Sequence, residues 1–173
     1  MRILGCDPGL ATFGVAAIDV IDGQSSVIIT ETFTSKPGTK KTKMTKSDDR
    51  LIRLRDLIRW LNAMIVSLKP QVVAAESFSP PRNAASAAVV AMAWGAMAAI
   101  VEQRGLPFVH ATPQEWRKTL SPRDPSEEAV HALIVQMAGN CLPEKKGDLP
   151  HALDAAGVGL WAATTDIARA VGR

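Results

Sequence analysis

Three acids stand where a soluble fold gains little from them. Asp7 follows a short apolar run, Glu76 ends the run Val72-Val73-Ala74-Ala75, and Asp154 lies inside the otherwise apolar segment from His151 to Gly157. On a helix, His151 and Asp154 are three residues apart and share a face. If the groups converge, ionised carboxylates about 5 Å apart repel by roughly 3 kcal/mol per pair at an effective dielectric near ~20. Such a cluster persists only when protons or cations compensate it, and oxygen ligands favour a hard divalent ion, Mg2+ or Mn2+. Two such ions side by side activate a water and stabilise the leaving oxygen of a phosphodiester, with no covalent nucleophile. Each residue alone also has a plainer reading. Asp7 can make an Asx-turn before Gly9, Asp154 can cap a helix, and His151 can be a surface histidine. Glu76 is harder to explain away, because its apolar neighbours argue for burial or a cleft.

The elements that must position these residues are legible as changes of period. Arg2 to Cys6, Phe13 to Val20 and Val27 to Phe33 are apolar runs separated by Asp7-Pro8-Gly9 and Asp22-Gly23, which predicts three strands in an antiparallel meander. From Asp49 the apolar residues recur at three and four (Leu51, Leu54, Leu57, Ile58, Leu61, Met64, Ile65, Leu68). The spacing predicts an amphipathic helix closed by Lys69-Pro70, with Arg53, Arg55 and Arg59 on its outer face. Val72 to Ala75 is a buried strand, and Asn83 caps a long helix to about Arg104 that contains nine alanines. Those small side chains imply a close helix–helix contact, either internal or across a dimer seam. Pro107 to His110 is a fifth strand. Thr112-Pro113-Gln114-Glu115 forms a capping box, Asp124 to Glu127 starts another helix, and a final helix runs from His151 to near Val171. This order predicts an α/β domain with a five-stranded mixed sheet.

The 173 residues fit a single domain over 1–173, long enough to bury roughly 70% of the unfolded surface. Cys6 and Cys141 are in no metal-ligand spacing and are expected to be reduced thiols, with no zinc. The most apolar stretch, Ala84 to Val101, is alanine-rich and expected to be less greasy than a membrane span; the N-terminus reaches an acid at its seventh residue, unlike a secretory signal. These features lead to the expectation of a cytoplasmic protein. The net charge of +3 is unevenly spread: Lys36 to Arg59 holds nine basic residues against three acids, a local +6. Within it, residues 36–46 lack apolar anchors and are expected to be a mobile basic loop, a feature suited to a polyanionic partner or simply a solvated surface.

Taken in order, the motifs resemble those of the RuvC family of Holliday-junction resolvases, within the ribonuclease H-like superfamily. Leu4-Gly5-Cys6-Asp7-Pro8-Gly9 is similar to the family's opening motif, Ala74 to Phe78 to its second, and Asn83 to Gly95 to the helix that follows. His151-Ala152-Leu153-Asp154-Ala155 resembles its closing motif. The resemblance implies a ribonuclease H-like fold with helices on both faces of the sheet, the first strand central and beside the fourth. It implies Asp7, Glu76, His151 and Asp154 as catalytic metal ligands, two ions per site, and a homodimer making paired nicks in branched DNA for recombination and repair. It also implies DNA contacts, for which Lys40, Lys41, Lys43, Lys46, Phe78, Arg82, Arg117 and Lys118 are the candidates.

Three departures stand out. His151 occupies a position where Asp is commoner, and Phe78 lies one place earlier than the family's aromatic wedge. Ser126, Glu127 and Glu128 replace a basic residue near the start of the penultimate helix. Other readings of the same residues are a catalytically silent binder of branched DNA, a nuclease of structured RNA, and an ATPase of the actin or sugar-kinase type. The last needs a second glycine-rich phosphate loop and a duplicated domain that 173 residues do not supply.

Overall fold

The computed structural model describes residues 1–38, 45–78 and 83–172. Its strands are β1 (Arg2–Asp7), β2 (Thr12–Ile21), β3 (Gln24–Thr34), β4 (Val72–Glu76) and β5 (Phe108–Ala111). The helices are α1 (Lys46–Leu68), α2 (Ala84–Gln103), α3 (Pro113–Leu120), α4 (Glu127–Ala138), α5 (Leu149–Ala162) and α6 (Asp166–Val171). The sheet order is β3-β2-β1-β4-β5, with the first three strands antiparallel and β4 and β5 parallel to β1. The expected mixed sheet, with β1 central and next to β4, is what forms. Asp22 and Gly23 both adopt positive φ (52° and 78°), the two-residue turn that matches strand twist.

Alternation along β1 and β4 divides the core in two. Ile3, Val72 and Ala74 face α3, α4 and α5, whereas Leu4, Cys6, Val73 and Ala75 face α1 and α2. The same period of two turns Asp7 and Glu76 toward the α5 side. Because Cys6 pairs with Ala75 in parallel register, the two acids are neighbours at the carboxyl ends of adjacent strands.

Helix α5 lies directly against the backbone of β1 and β2. A Cβ at Gly5 would collide with the carbonyl oxygen of Ala155, and one at Gly14 with the carbonyl oxygen of His151. The ring of Trp116, fully buried, fills the space between α3 and α5. Only with glycine at both strand positions does the helix descend far enough to bring its first turns over the strand ends.

Several expectations are corrected by the structure. Helix α1 begins at Lys46 rather than Asp49, because the Thr45 hydroxyl accepts the Asp48 amide at 3.1 Å; Lys46 is therefore exposed helix and not part of a loop. Of the remaining expected basic loop, 39–44 lie outside the described residues. Arg53 does not face outward: its side chain is 15% exposed and donates from Nε to Ser35 Oγ at 2.8 Å, tying α1 to the end of β3. Leu51, expected on the apolar face, is exposed. The final helix is two helices, since Thr164 and Thr165 return their hydroxyls to the carbonyls of Trp161 and Ala162 and Thr165 then caps α6. By length and composition α2 is apolar enough to cross a membrane, with a mean hydropathy of 1.9, so the expectation that it is too weakly apolar does not hold. Here one side of α2 (Ala93, Met97, Ile100, Val101) packs into the core beside α1.

Candidate active site

The site opens at the carboxyl ends of β1 and β4. Asp7 is the last residue of β1, Glu76 the last of β4, and His151 and Asp154 occupy the first two turns of α5. His151 Nδ1 lies 2.6 Å from Asp7 Oδ2. Glu76 Oε2 accepts from the indole N–H of Trp116 at 3.2 Å, and its main-chain carbonyl accepts from Trp94 Nε1 at 3.1 Å. Asp154 Oδ1 accepts from His131 Nε2 at 2.9 Å, and Arg117 Nη2 stands 3.6 Å from the same oxygen. In each carboxylate one oxygen is held by a side chain, and the other has no protein donor among the described residues.

The electrostatics record how close these groups are. Burial raises the Asp7 carboxyl above its ordinary range and Asp154 pushes it further, while the His151 hydrogen bond acts in the opposite direction. Glu76 is pushed up to about 7, first by burial and then by the charges of Asp7 and Asp154; the Trp116 N–H and Arg117 oppose the rise. The hydrogen bond to Asp7 raises His151 above its ordinary value. Burial first, and then neighbouring negative charge, thus disfavours the ionised forms of Asp7 and Glu76, a cost that protons or a bound cation relieve. Both the donor types and the uncompensated charge fit a hard divalent ion. As the side chains stand, no three of the His, Cys, Asp or Glu groups among the described residues meet at a spacing that would hold one ion.

Two cavities flank the acids. One, of about 210 Å³, is lined by Asp7, Pro8, Glu76, Ser77, Phe78, Val90 and Trp94, so Phe78 does lie at the site, 37% exposed. The other, of about 430 Å³, runs from His151 past Thr12 to Asn83 and Ser86 at the start of α2, with Arg50 on its wall. Arg117 is drawn inward: its side chain is 18% exposed, with Nη2 2.9 Å from Glu127 and the guanidinium against the Trp116 ring. Its Nε is the one buried side-chain nitrogen or oxygen without a hydrogen-bond partner among the described residues. Lys118, the next residue, is exposed. Lys40, Lys41, Lys43 and Arg82 lie outside the described residues.

Sequence reasoning misses four contributors. Arg50 figures there only as a member of the basic run, and Trp94, Trp116 and His131 have no role. A tryptophan directly before Arg117 is the available signal for one of them; His131 gives none.

A family model described as crossover junction endodeoxyribonuclease RuvC matches residues 3–158. The crossover junction endodeoxyribonuclease RuvC of Paenarthrobacter aurescens is 26% identical over 173 residues, covering 99% of this chain and 87% of its own. Its counterpart in Moorella thermoacetica is 25% identical over 139 residues, 78% of either chain. Among solved structures, Thermus thermophilus RuvC in complex with Holliday junction substrate superposes with a TM-score of 0.75 at 19% identity, covering 94% of this chain and 93% of its own. The Fowlpox virus resolvase, also solved with Holliday junction DNA, superposes with a TM-score of 0.57 at 13% identity over 94% and 97%. At these identities the structures establish a shared fold.

Proposed function

The chain belongs to the RuvC family of crossover junction endodeoxyribonucleases, and we propose that it cuts branched DNA, the Holliday junction foremost, at the cleft formed by Asp7, Glu76, His151 and Asp154. The family consists of metal-dependent nucleases that hydrolyse DNA phosphodiesters. The observation that carries the reading for these four residues is the gathering of three carboxylates on one face of the sheet, close enough that Asp154 acts on both Asp7 and Glu76, beside an imidazole.

In this reading the spare oxygens of Asp7, Glu76 and Asp154, with the His151 imidazole, hold Mg2+ or Mn2+, two ions per site. When bound, such ions supply an activated water and stabilise the leaving oxygen. The chain's own contribution is position and charge. Trp116 and His131 fix the acids they touch, and the proton between His151 and Asp7 must leave before both can serve as ligands. Phe78, beside the acids, is placed to stack on an unpaired or distorted base. Arg50 and Lys46 on α1, Lys118 on α3, and Lys40, Lys41, Lys43 and Arg82 supply phosphate contacts.

The acting species is a homodimer, whose two sites match the two-fold symmetry of a four-way junction. Ala84, Ala88, Ala91, Gly95 and Ala99 form an exposed stripe of small residues at helical spacing along α2, which supports that face as the seam. Cytoplasmic location follows from a DNA substrate in a bacterial or phage setting.

The test is a synthetic four-way junction with Mg2+ or Mn2+, offered to wild type and Asp7→Asn side by side. Paired nicks by wild type, and binding without nicks by the variant, are expected. Wild-type binding with no cleavage across metals and pH would favour a silent DNA-binding protein instead. Cleavage competed more strongly by structured RNA than by junction DNA would move the substrate to RNA.

A further inference from the structure

Around Asp154 the chain builds a network that the ligand set alone does not require. On α4, Glu127 and His131 are one turn apart and face the same way. Glu127 takes Arg117 at 2.9 Å, Arg117 reaches toward Asp154 at 3.6 Å, and His131 Nε2 closes on Asp154 Oδ1 at 2.9 Å. The three inner side chains of this network are well covered, with 15%, 18% and 19% exposure for His131, Arg117 and Asp154. Arg117 stands between two carboxylates, Glu127 and Asp154, so acid and base alternate along this part of the path. Both polar groups directed at Asp154 meet the same oxygen, Oδ1, and no donor among the described residues meets Oδ2.

A carboxylate held through one oxygen has lost its rotation about the Cβ–Cγ bond, and the other oxygen then points in one fixed direction. We infer that His131 is a positioning residue: by donating from Nε2 to Asp154 Oδ1 it presents Oδ2 to the cleft, and so sets the affinity of the site for a divalent cation. The role rests on the metal-dependent reading of the site given above. Glu127 is one of the three residues, with Ser126 and Glu128, that stand near the helix start where the family resemblance implies a basic residue, and here it secures Arg117 as the second support. Arg117 alone would not suffice, because at 3.6 Å it supplies charge but not a directed hydrogen bond. Outer partners of metal ligands are worth about 10–100-fold in metal affinity, and that is the scale expected for His131.

The experiment titrates the full-length protein with Mn2+ alone and counts free Mn2+ by electron paramagnetic resonance, with junction cleavage measured in parallel. His131→Ala is expected to weaken Mn2+ binding by roughly 10-fold or more. His131→Gln, whose amide N–H reaches close to the position of Nε2, is expected to recover most of it. In an Asp154→Asn background, His131→Ala should cost nothing further, because its effect passes through that carboxylate. A merely structural histidine would lower the unfolding midpoint equally for His131→Ala and His131→Gln while leaving Mn2+ affinity intact. Wild-type affinity in His131→Ala, a loss that His131→Gln does not repair, or a loss that persists in the Asp154→Asn background would each overturn the assignment. Wild-type protein that takes up no Mn2+ would remove the metal reading itself, a failure distinct from equal binding by wild type and variant.

Discussion

Replacing Glu76 by Gln should stabilise the metal-free protein, and should do so only above a particular pH. The glutamine is nearly isosteric and its carbonyl still accepts the Trp116 N–H, so the change removes charge and little else. Burial, Asp7 and Asp154 raise Glu76 from its ordinary 4.5 to about 7. Between those values the folded chain retains a proton that the unfolded chain has released, so stability falls as pH rises through the window, and above about 7 the full cost persists. A shift of that size corresponds to about 3 kcal/mol at 1.36 kcal/mol per unit; solvent at the cleft mouth reduces this to roughly 2 kcal/mol. For a chain of this length that is about 4–8 °C in Tm. The assay is urea and thermal unfolding in EDTA, at pH 5 and pH 8, followed by tryptophan fluorescence. At pH 8 Glu76→Gln should unfold later than wild type by that margin, and at pH 5 the two should nearly coincide. Adding Mg2+ at pH 8 should raise the wild type and leave the variant nearly unchanged. A variant advantage of the same size at both pH values, or a less stable variant at pH 8, would refute the claim that burial and neighbouring charge make an ionised Glu76 costly in this cleft.

Three further outcomes are expected. Cleavage at limiting metal should rise with pH through a midpoint above the ordinary histidine value of 6.5, because Asp7 holds the His151 proton. A single-turnover pH profile checks this, and a midpoint at or below that value would contradict it. Gly5→Ala and Gly14→Ala should each lower stability by about 3 kcal/mol or more in urea melts, since a methyl group there meets a main-chain carbonyl of α5 and not a pliable side chain. Neutralising Lys40, Lys41 and Lys43 together should flatten the dependence of log affinity on log salt by about 0.9 for each phosphate that the protein ceases to neutralise; an unchanged slope would exclude them from the interface.

Most of the fold is written in local pattern. The change from period two to period three-and-four marks the boundary between the meander and α1, and Thr112 and Ser126 cap α3 and α4 where their residue types indicate. The site is legible to the extent that acids ending apolar runs are anomalous, and Asp7 and Glu76 do meet. What escapes depends on packing between distant segments. His131 sits within an ordinary amphipathic helix, and its partner lies 23 residues further along, so no spacing links them. Arg53 has the look of a surface arginine until the end of β3 brings Ser35 beside it. Arg117, expected to reach phosphate, is instead drawn inward by Glu127, a residue whose type alone gives no hint of that contact. The break between α5 and α6 is readable in principle, since Thr165 followed by Asp166 is a helix-start signal, but the long apolar run before it masks the change.

The contact of α5 with the strands at Gly5 and Gly14 is main chain against main chain, with no intervening layer of adjustable groups. A layer of side chains would let the helix ride up or tilt by trading rotamers; bare backbone offers no such slack. The helix and the two strands therefore behave as one body, and the acids they carry can approach or separate only by torsion about their own side-chain bonds. Opening the floor of the cleft then requires breaking the domain itself. The amides of Gly14 and Leu153 should accordingly exchange with deuterium only at the rate of global unfolding, which would make the floor of this cleft the last part of the molecule to come apart.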